Sequence, residues 1–166
     1  DREWGRATRD GFFLSDPQSL LDAWVKVYET PSGERKKFYT PLHGSALENA
    51  ARSVIGEQGN GRTVFSSFSA AQWLAPYARV STNYFYADSE GLEKLISALQ
   101  LTPVTKGENV VITLPKDEGL LLDIVEAAPN AICTSPVQTY LDLAVAGERA
   151  KEAAEYLRQE KLTWAR

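Results

Sequence analysis

Carboxylates placed just beyond apolar stretches are the residues of this chain whose types and spacing could do chemistry. Asp88 and Glu90 follow the stretch Asn83 to Tyr86, and Asp123 lies in a later one, Gly119 to Val125. Acids at strand ends hold the paired metal ions of phosphoryl- and nucleotidyl-transfer sites. Asp88, Glu90 and Asp123 therefore define one reading, an enzyme domain that processes nucleotides or nucleic acid in the manner of a nucleotidyltransferase or nuclease. A second reading needs no catalysis. Asp88 or Ser89 caps a helix, and Glu90 sits in its first turn, where the helix dipole favours an acid. Capping is the expectation carried forward.

Other candidates resolve in the same direction. Asp22 with Glu34-Arg35-Lys36 has the spaced acid and acid-x-lysine of some nucleases, but Asp22 falls mid-helix and Glu34 in a turn. Nothing in the pattern makes them converge. His43, the one histidine, stands between Leu42 and Gly44 just before a helix start and reads as a structural or surface residue. Cys133, the one cysteine, follows Ala131 and Ile132 with no base in sight, so it reads as a buried thiol. One cysteine excludes an internal disulfide, and one cysteine with one histidine leaves no Cys/His zinc set. The loop Gly56 to Gly61 lacks the lysine of a phosphate-binding P-loop and does not run from strand to helix. The expectation is a protein with no catalytic residues, no metal and no cofactor.

Composition sets the frame. With 43% hydrophobic and 24% charged residues over 166 positions, the chain suits one globular domain that buries roughly 70% of its unfolded surface. A formal charge of −4 argues against gripping nucleic acid over the whole surface. Cations do cluster at Arg35, Lys36 and Lys37, and again at Arg149, Lys151 and Arg158. Glu34 flanks the first group, and Glu148, Glu152, Glu155 and Glu160 are interspersed with the second. Mixed charge of this kind marks a solvated face. No apolar run approaches the ~20 residues of a membrane span and no signal peptide is visible, so a cytoplasmic protein is expected.

The elements that must position these residues alternate in type. Residues 1–13, rich in charges of both signs, read as a leader or linker from an upstream region, and 14–166 as a single domain. Asp16-Pro17 opens a helix with Leu20, Leu21, Trp24, Val25, Val27 and Tyr28 on a wide apolar face. Lys36 to Thr40 is a short strand. Ser45-x-x-Glu48 is a capping box for a helix burying Leu47, Ala50, Ala51, Val54 and Ile55. Thr63 to Phe65 is a strand, Ser69-x-x-Gln72 starts a short helix ending near Pro76, Val80 to Tyr86 is a strand, and a helix runs from about Ser89. Leu101 to Thr105 and Asn109 to Leu114, joined by Lys106-Gly107-Glu108, form a hairpin. Gly119 to Val125 is taken as a strand, as is Ala131 to Thr134. After Gly147 comes a last helix, with Lys151 and Glu155 as an i,i+4 pair. Such alternation implies an α/β fold, a mixed β-sheet layered with helices.

The clearest local physics lies in S-P-V-Q-T-Y-L-D-L, Ser135 to Leu143. Ser135 is an N-cap, Pro136 suits the first helical position, and Gln138 can return a bond to the N–H of the cap. Val137, Tyr140, Leu141, Ala144 and Val145 then recur at helical spacing, with Asp142 beside Leu141. No catalytic types converge here, and the element reads first as architecture, with Ser135, Pro136, Gln138, Tyr140 and Asp142 as its structural or partner-contacting residues.

That stretch, followed by A-G-E-R-A-K-E-A-A-E-Y-L, resembles the C-terminal signature of AbiEi-type antitoxins of type IV toxin–antitoxin systems. The family reads Ser-Pro-hydrophobic-Gln, Tyr, Leu-Asp-Leu, Gly and then a Glu-Ala-Ala helix. Asp16-Pro17 to Trp24, the stretch Phe65 to Tyr77, and Glu108-Asn109-Val110-Val111 fit as well, so the resemblance runs from about residue 14 onward. It implies a transcriptional regulator whose N-terminal winged helix binds DNA and whose C-terminal domain serves the antitoxin function. This chain then corresponds to the C-terminal domain, with a toxin protein or a second copy of itself as partner, and with DNA bound mainly through the absent winged helix.

A weaker resemblance concerns fold. Thr63 to Phe65, the turn Ser66-Ser67, the helix over 69–76 and the strand over 80–86 are laid out like the opening of a nucleotidyltransferase-like domain. Such a domain has a Gly-Ser turn that holds phosphates, and paired acids on the next strand. Here Ser66 stands where glycine belongs, and Asn83-Tyr84-Phe85 where acids belong. A degenerate, non-catalytic relative is implied.

Overall fold

The computed structural model describes residues 5–8, 11–14, 16–57, 61–77 and 80–163. Its centre is a mixed seven-stranded sheet. The strands are β3 (Gly33–Tyr39), β4 (Thr63–Phe65), β5 (Asn83–Ala87), β6 (Thr102–Pro103), β7 (Val110–Pro115), β8 (Ile124–Ala128) and β9 (Ala131–Thr134), in the order β6-β3-β7-β5-β4-β9-β8. β5 runs parallel to β7 and β4 parallel to β9, while the other neighbours are antiparallel. A separate two-stranded antiparallel sheet joins β1 (Gly5–Thr8) to β2 (Gly11–Leu14), where the sequence suggested only a leader.

Six helices accompany the strands among the described residues: α1 (Pro17–Val27), α2 (Gly44–Ile55), α3 (Ser67–Leu74), α4 (Ser89–Ala98), α5 (Pro136–Ala144) and α6 (Glu148–Lys161). Alternation along each strand sends successive side chains to opposite faces. Phe38, Phe65, Phe85, Val110, Ile112 and Cys133 point to one face and pack with Leu47 and Val54 of α2 and Leu92 and Leu95 of α4. A second cluster joins Leu21 of α1, Ala71 of α3, Tyr140, Leu141 and Leu143 of α5, and Ala153 and Leu157 of α6. The α/β class expected from the alternation is therefore the one found.

Several local expectations are corrected. The segments around Lys106-Gly107-Glu108 do not pair with each other, because β3 lies between β6 and β7. Val104 N–H donates to Lys37 O and Asn109 N–H to Phe38 O, so both arms of the turn bond the same third strand. A local turn signal says nothing about which strand fills the gap. The stretch from Gly119 opens as a 3-10 helix, Glu118–Leu121, because Asp117 accepts from Gly119 N–H and starts a helical turn; only Ile124 onward is strand. The fifth strand starts at Asn83, so residues 80–82 precede it.

Caps shift too. Gly44, at φ +57°, turns the chain into α2 one residue before Ser45, and His43 occupies the cap position without a side-chain bond. α3 begins at Ser67, and Ser69 Oγ instead accepts from Tyr84 N–H at 2.8 Å. Lys151 pairs with Glu148, the first residue of α6, at 2.9 Å, three residues before it rather than with Glu155 four residues after.

Candidate functional site

The three acids of the enzyme reading each have structural work. Asp88 caps α4, Oδ1 accepting from Gly91 N–H at 2.7 Å, while Oδ2 accepts from Arg62 N–H at 3.0 Å across the sheet end. Glu90 sits in the first turn of the same helix. Asp123 accepts from the Ser135 hydroxyl at 3.1 Å, beside the start of α5. Among the described residues no group of three His, Cys, Asp or Glu side chains is arranged to hold a metal ion. Asp22 is bonded to Arg158 at 2.6 Å and Glu34 lies 3.7 Å from Lys36, so the nuclease-like spacing does not converge either.

The stretch Ser135 to Leu143 is organised as its sequence suggests, with one change. Ser135 Oγ accepts from Gln138 N–H at 3.2 Å and Pro136 is the first helical residue. Gln138 does not reach back to the cap; Ser135 N–H donates to Asp123 O instead. The Gln138 amide turns inward, donating to Tyr28 Oη at 2.7 Å and Asp142 Oδ1 at 3.1 Å. Thr139 Oγ1 lies 2.7 Å from Thr134 Oγ1, tying the helix to the end of β9.

Asp142 is the unexpected centre of this region. It is 7% exposed, and its two oxygens accept from the Tyr28 hydroxyl at 2.5 Å, the Tyr86 hydroxyl at 2.9 Å and Gln138. Burial lifts its carboxyl above the ordinary range, an effect opposed by those three bonds. Burial and the neighbouring carboxylate push the Tyr28 and Tyr86 hydroxyls well above 10. Sequence reasoning named Asp142 and Gln138 but missed Tyr28 and Tyr86 as their partners. The signal was present for Tyr86: alternation from Phe85 puts Tyr84 and Tyr86 together on the opposite face of β5.

On that face the structure holds a cavity of about 190 Å³. Arg35, Tyr84, Tyr86, Val111 and Thr113 supply its sheet side, Ser66 and Ser67 its rim at the start of α3, and Asp142 its α5 side. The turn Ser66-Ser67 thus borders the same cavity as Tyr84, the middle one of the three strand positions Asn83-Tyr84-Phe85 where a nucleotidyltransferase-like domain carries acids.

The basic candidates divide. Lys36 and Lys37 lie within 3.8 Å of Glu34 and Glu108 respectively, and Lys151 pairs with Glu148. Arg158 is a clamp rather than a surface cation. Its guanidinium donates to Asp22, to Gln18 Oε1 at 2.6 Å and to the Tyr140 hydroxyl at 3.1 Å, and it lies over the Tyr140 ring. Arg149 is exposed on α6, and Arg35 borders the cavity. Cys133 is buried, with its thiol pushed up to about 12 by desolvation, and His43 lines an open groove with Glu48 and Trp73.

Comparison with known proteins gives one result. A family model described as transcriptional regulator, AbiEi antitoxin, type IV TA system, matches residues 14–163. Comparison with curated proteins and with solved structures returns no match. No helix among the described residues is long and apolar enough to cross a membrane.

Proposed function

Because this chain belongs to the AbiEi antitoxin family of transcriptional regulators from type IV toxin–antitoxin systems, we propose that it is the antitoxin domain of such a regulator and acts by protein contact rather than catalysis. The observation that carries this reading is the use made of its acids. Asp88 caps a helix, Asp123 holds Ser135, and Asp142 is enclosed by two tyrosines and a glutamine. Carboxylates committed to backbone and hydroxyl donors in this way support architecture, whereas a two-metal centre needs them converging and free to ligate.

The same bookkeeping of partners bears on DNA. Of the six cations singled out in the sequence, Lys36, Lys37, Lys151 and Arg158 each stand within 4 Å of a carboxylate. A cation already facing an acid gains less from a phosphate, and the chain as a whole is acidic. Its antitoxin partner is a toxin protein or a second copy of the chain. Calorimetric titration with the cognate toxin should give a stoichiometric complex. Fluorescence anisotropy with duplex DNA at about 150 mM salt should show no binding tighter than the non-specific micromolar range. Submicromolar, salt-sensitive DNA binding without toxin binding would reverse the assignment and make this domain the DNA reader.

A further inference from the structure

The two edges of the seven-stranded sheet are finished differently. β8 closes one side, and its ladder with β9 is broken by a register shift between Glu126 and Ala128. A bulge of that kind spoils an edge as a template for another strand. On the other side β6 is two residues long and is registered against Phe38 and Tyr39 of β3, with one further bond from Val104 N–H to Lys37 O. From Gly33 to Lys36, β3 therefore has no strand beside it on that side among the described residues. Its ladder with β7 runs from Gly33 to Phe38 without a shift, so the open stretch is regular and extended.

The direction of each main-chain group along β3 follows from its partners. Ser32 O and Phe38 O accept from Lys116 N–H and Asn109 N–H on the β7 side, whereas Lys37 O accepts from Val104 N–H on the β6 side. Ladder groups alternate in direction along a strand, so Gly33 and Arg35, in step with Lys37, turn their N–H and C=O toward the open edge. Gly33, Glu34, Arg35 and Lys37 are exposed. Side chains alternate as well: Arg35 and Lys37 share one face, with Glu34 and Lys36 on the other. Lys36 and Lys37 lie 3.7 and 3.8 Å from Glu34 and Glu108, in solvent-open pairs that contribute little.

We propose that β3 takes up an extended, acidic segment of a partner protein as an added strand. Main-chain bonds to Gly33 and Arg35 supply the attachment, and carboxylates set opposite Arg35, Lys36 or Lys37 supply the selectivity. A second copy of this chain fits poorly. Antiparallel twofold pairing centred on Glu34, Arg35 or Lys36 sets that residue against its own copy, and like charges directly opposite repel. Cations on an open edge discourage neutral and basic strands, and an acidic strand turns them into attractors. The surface is defined by the edge itself, so a peptide tests it separately from the toxin titration.

The test uses the intact chain and a short peptide of alternating glutamate and valine, with the backbone amides followed by NMR. The peptide should shift the Gly33 to Lys37 amides saturably at concentrations up to about 1 mM, and slow hydrogen exchange at the Arg35 amide. The same peptide with lysine in place of glutamate should not bind. Nor should the glutamate peptide N-methylated at every residue, which cannot donate ladder bonds. Arg35→Gln combined with Lys37→Gln should weaken binding several-fold, each opposite-charge pair across strands accounting for up to about fivefold. Absence of saturable shifts, equal binding by the lysine or the N-methylated peptide, or equal affinity in the double variant would overturn the proposal. Concentration-dependent shifts of the same amides without peptide would overturn it too, because the edge would then belong to a second copy.

Discussion

Asp142 on α5 and Tyr86 on β5, 56 positions apart in sequence, are joined by a 2.9 Å hydrogen bond inside the protein. With Tyr28 at 2.5 Å on the same carboxyl group, this bond links the loop after α1, the centre of the sheet and the helix of the family signature. A buried carboxylate is retained only where donors replace the water it lost. Its arrangement therefore explains why the Leu-Asp-Leu run keeps an acid between two buried leucines.

Asp142 should make stability depend on pH in a direction opposite to that of a surface carboxylate. Burial raises its carboxyl above 3.8, so the folded chain holds that proton more tightly than the unfolded chain does. The contribution is largest below pH 3.8 and declines as pH rises through the raised value. Urea unfolding of the wild type and of Asp142→Asn across that window isolates it. The wild type should lose stability relative to the variant as pH increases, and a difference that is flat or grows with pH contradicts the assignment.

Ser135 caps α5 and also donates to Asp123. Ser135→Ala should cost about 1 kcal/mol, as for other N-cap losses. The urea midpoint reads this directly, and an unchanged midpoint would mean that the cap carries no stability.

Cys133 should be inert in the folded chain. Desolvation pushes its thiol up to about 12, leaving almost no thiolate at neutral pH, and the side chain is buried against the α2 and α4 layer. A colorimetric thiol reagent should titrate one sulfhydryl only when urea crosses the unfolding transition. Fast stoichiometric reaction under native conditions would show that the β9 region opens.

Much of this architecture is legible in the residues themselves, for physical reasons that also mark the limit. Ser135-Pro136, Asp16-Pro17 and Asp88 announce helix starts because the cap and its donors lie within three residues, and all three cap as read. The insertion of β3 between β6 and β7 is not legible, because pairing is decided by burial across the sheet and not by the turn that joins two strands. Ser45 and Ser69 have the spacing of caps but lose that role, one to the positive φ of Gly44 and the other to Tyr84 N–H. Arg158 reads as a member of a charged surface stripe until Gln18 and Asp22 of α1 are brought against it. Partners more than a hundred positions away leave no trace in local spacing.

The most direct test of a non-catalytic antitoxin is growth rescue by a variant stripped of its candidate catalytic acids. Asp88→Asn, Glu90→Gln and Asp123→Asn combined remove three charges and keep one oxygen acceptor each for Gly91 N–H and the Ser135 hydroxyl, with only the bond from Arg62 N–H lost, and asparagine caps a helix about as well as aspartate. Co-expressed with its toxin, the triple variant should restore growth as fully as the wild type. A variant that folds with an unchanged thermal midpoint and fails to rescue would show that those acids perform chemistry, contradicting the account at its centre.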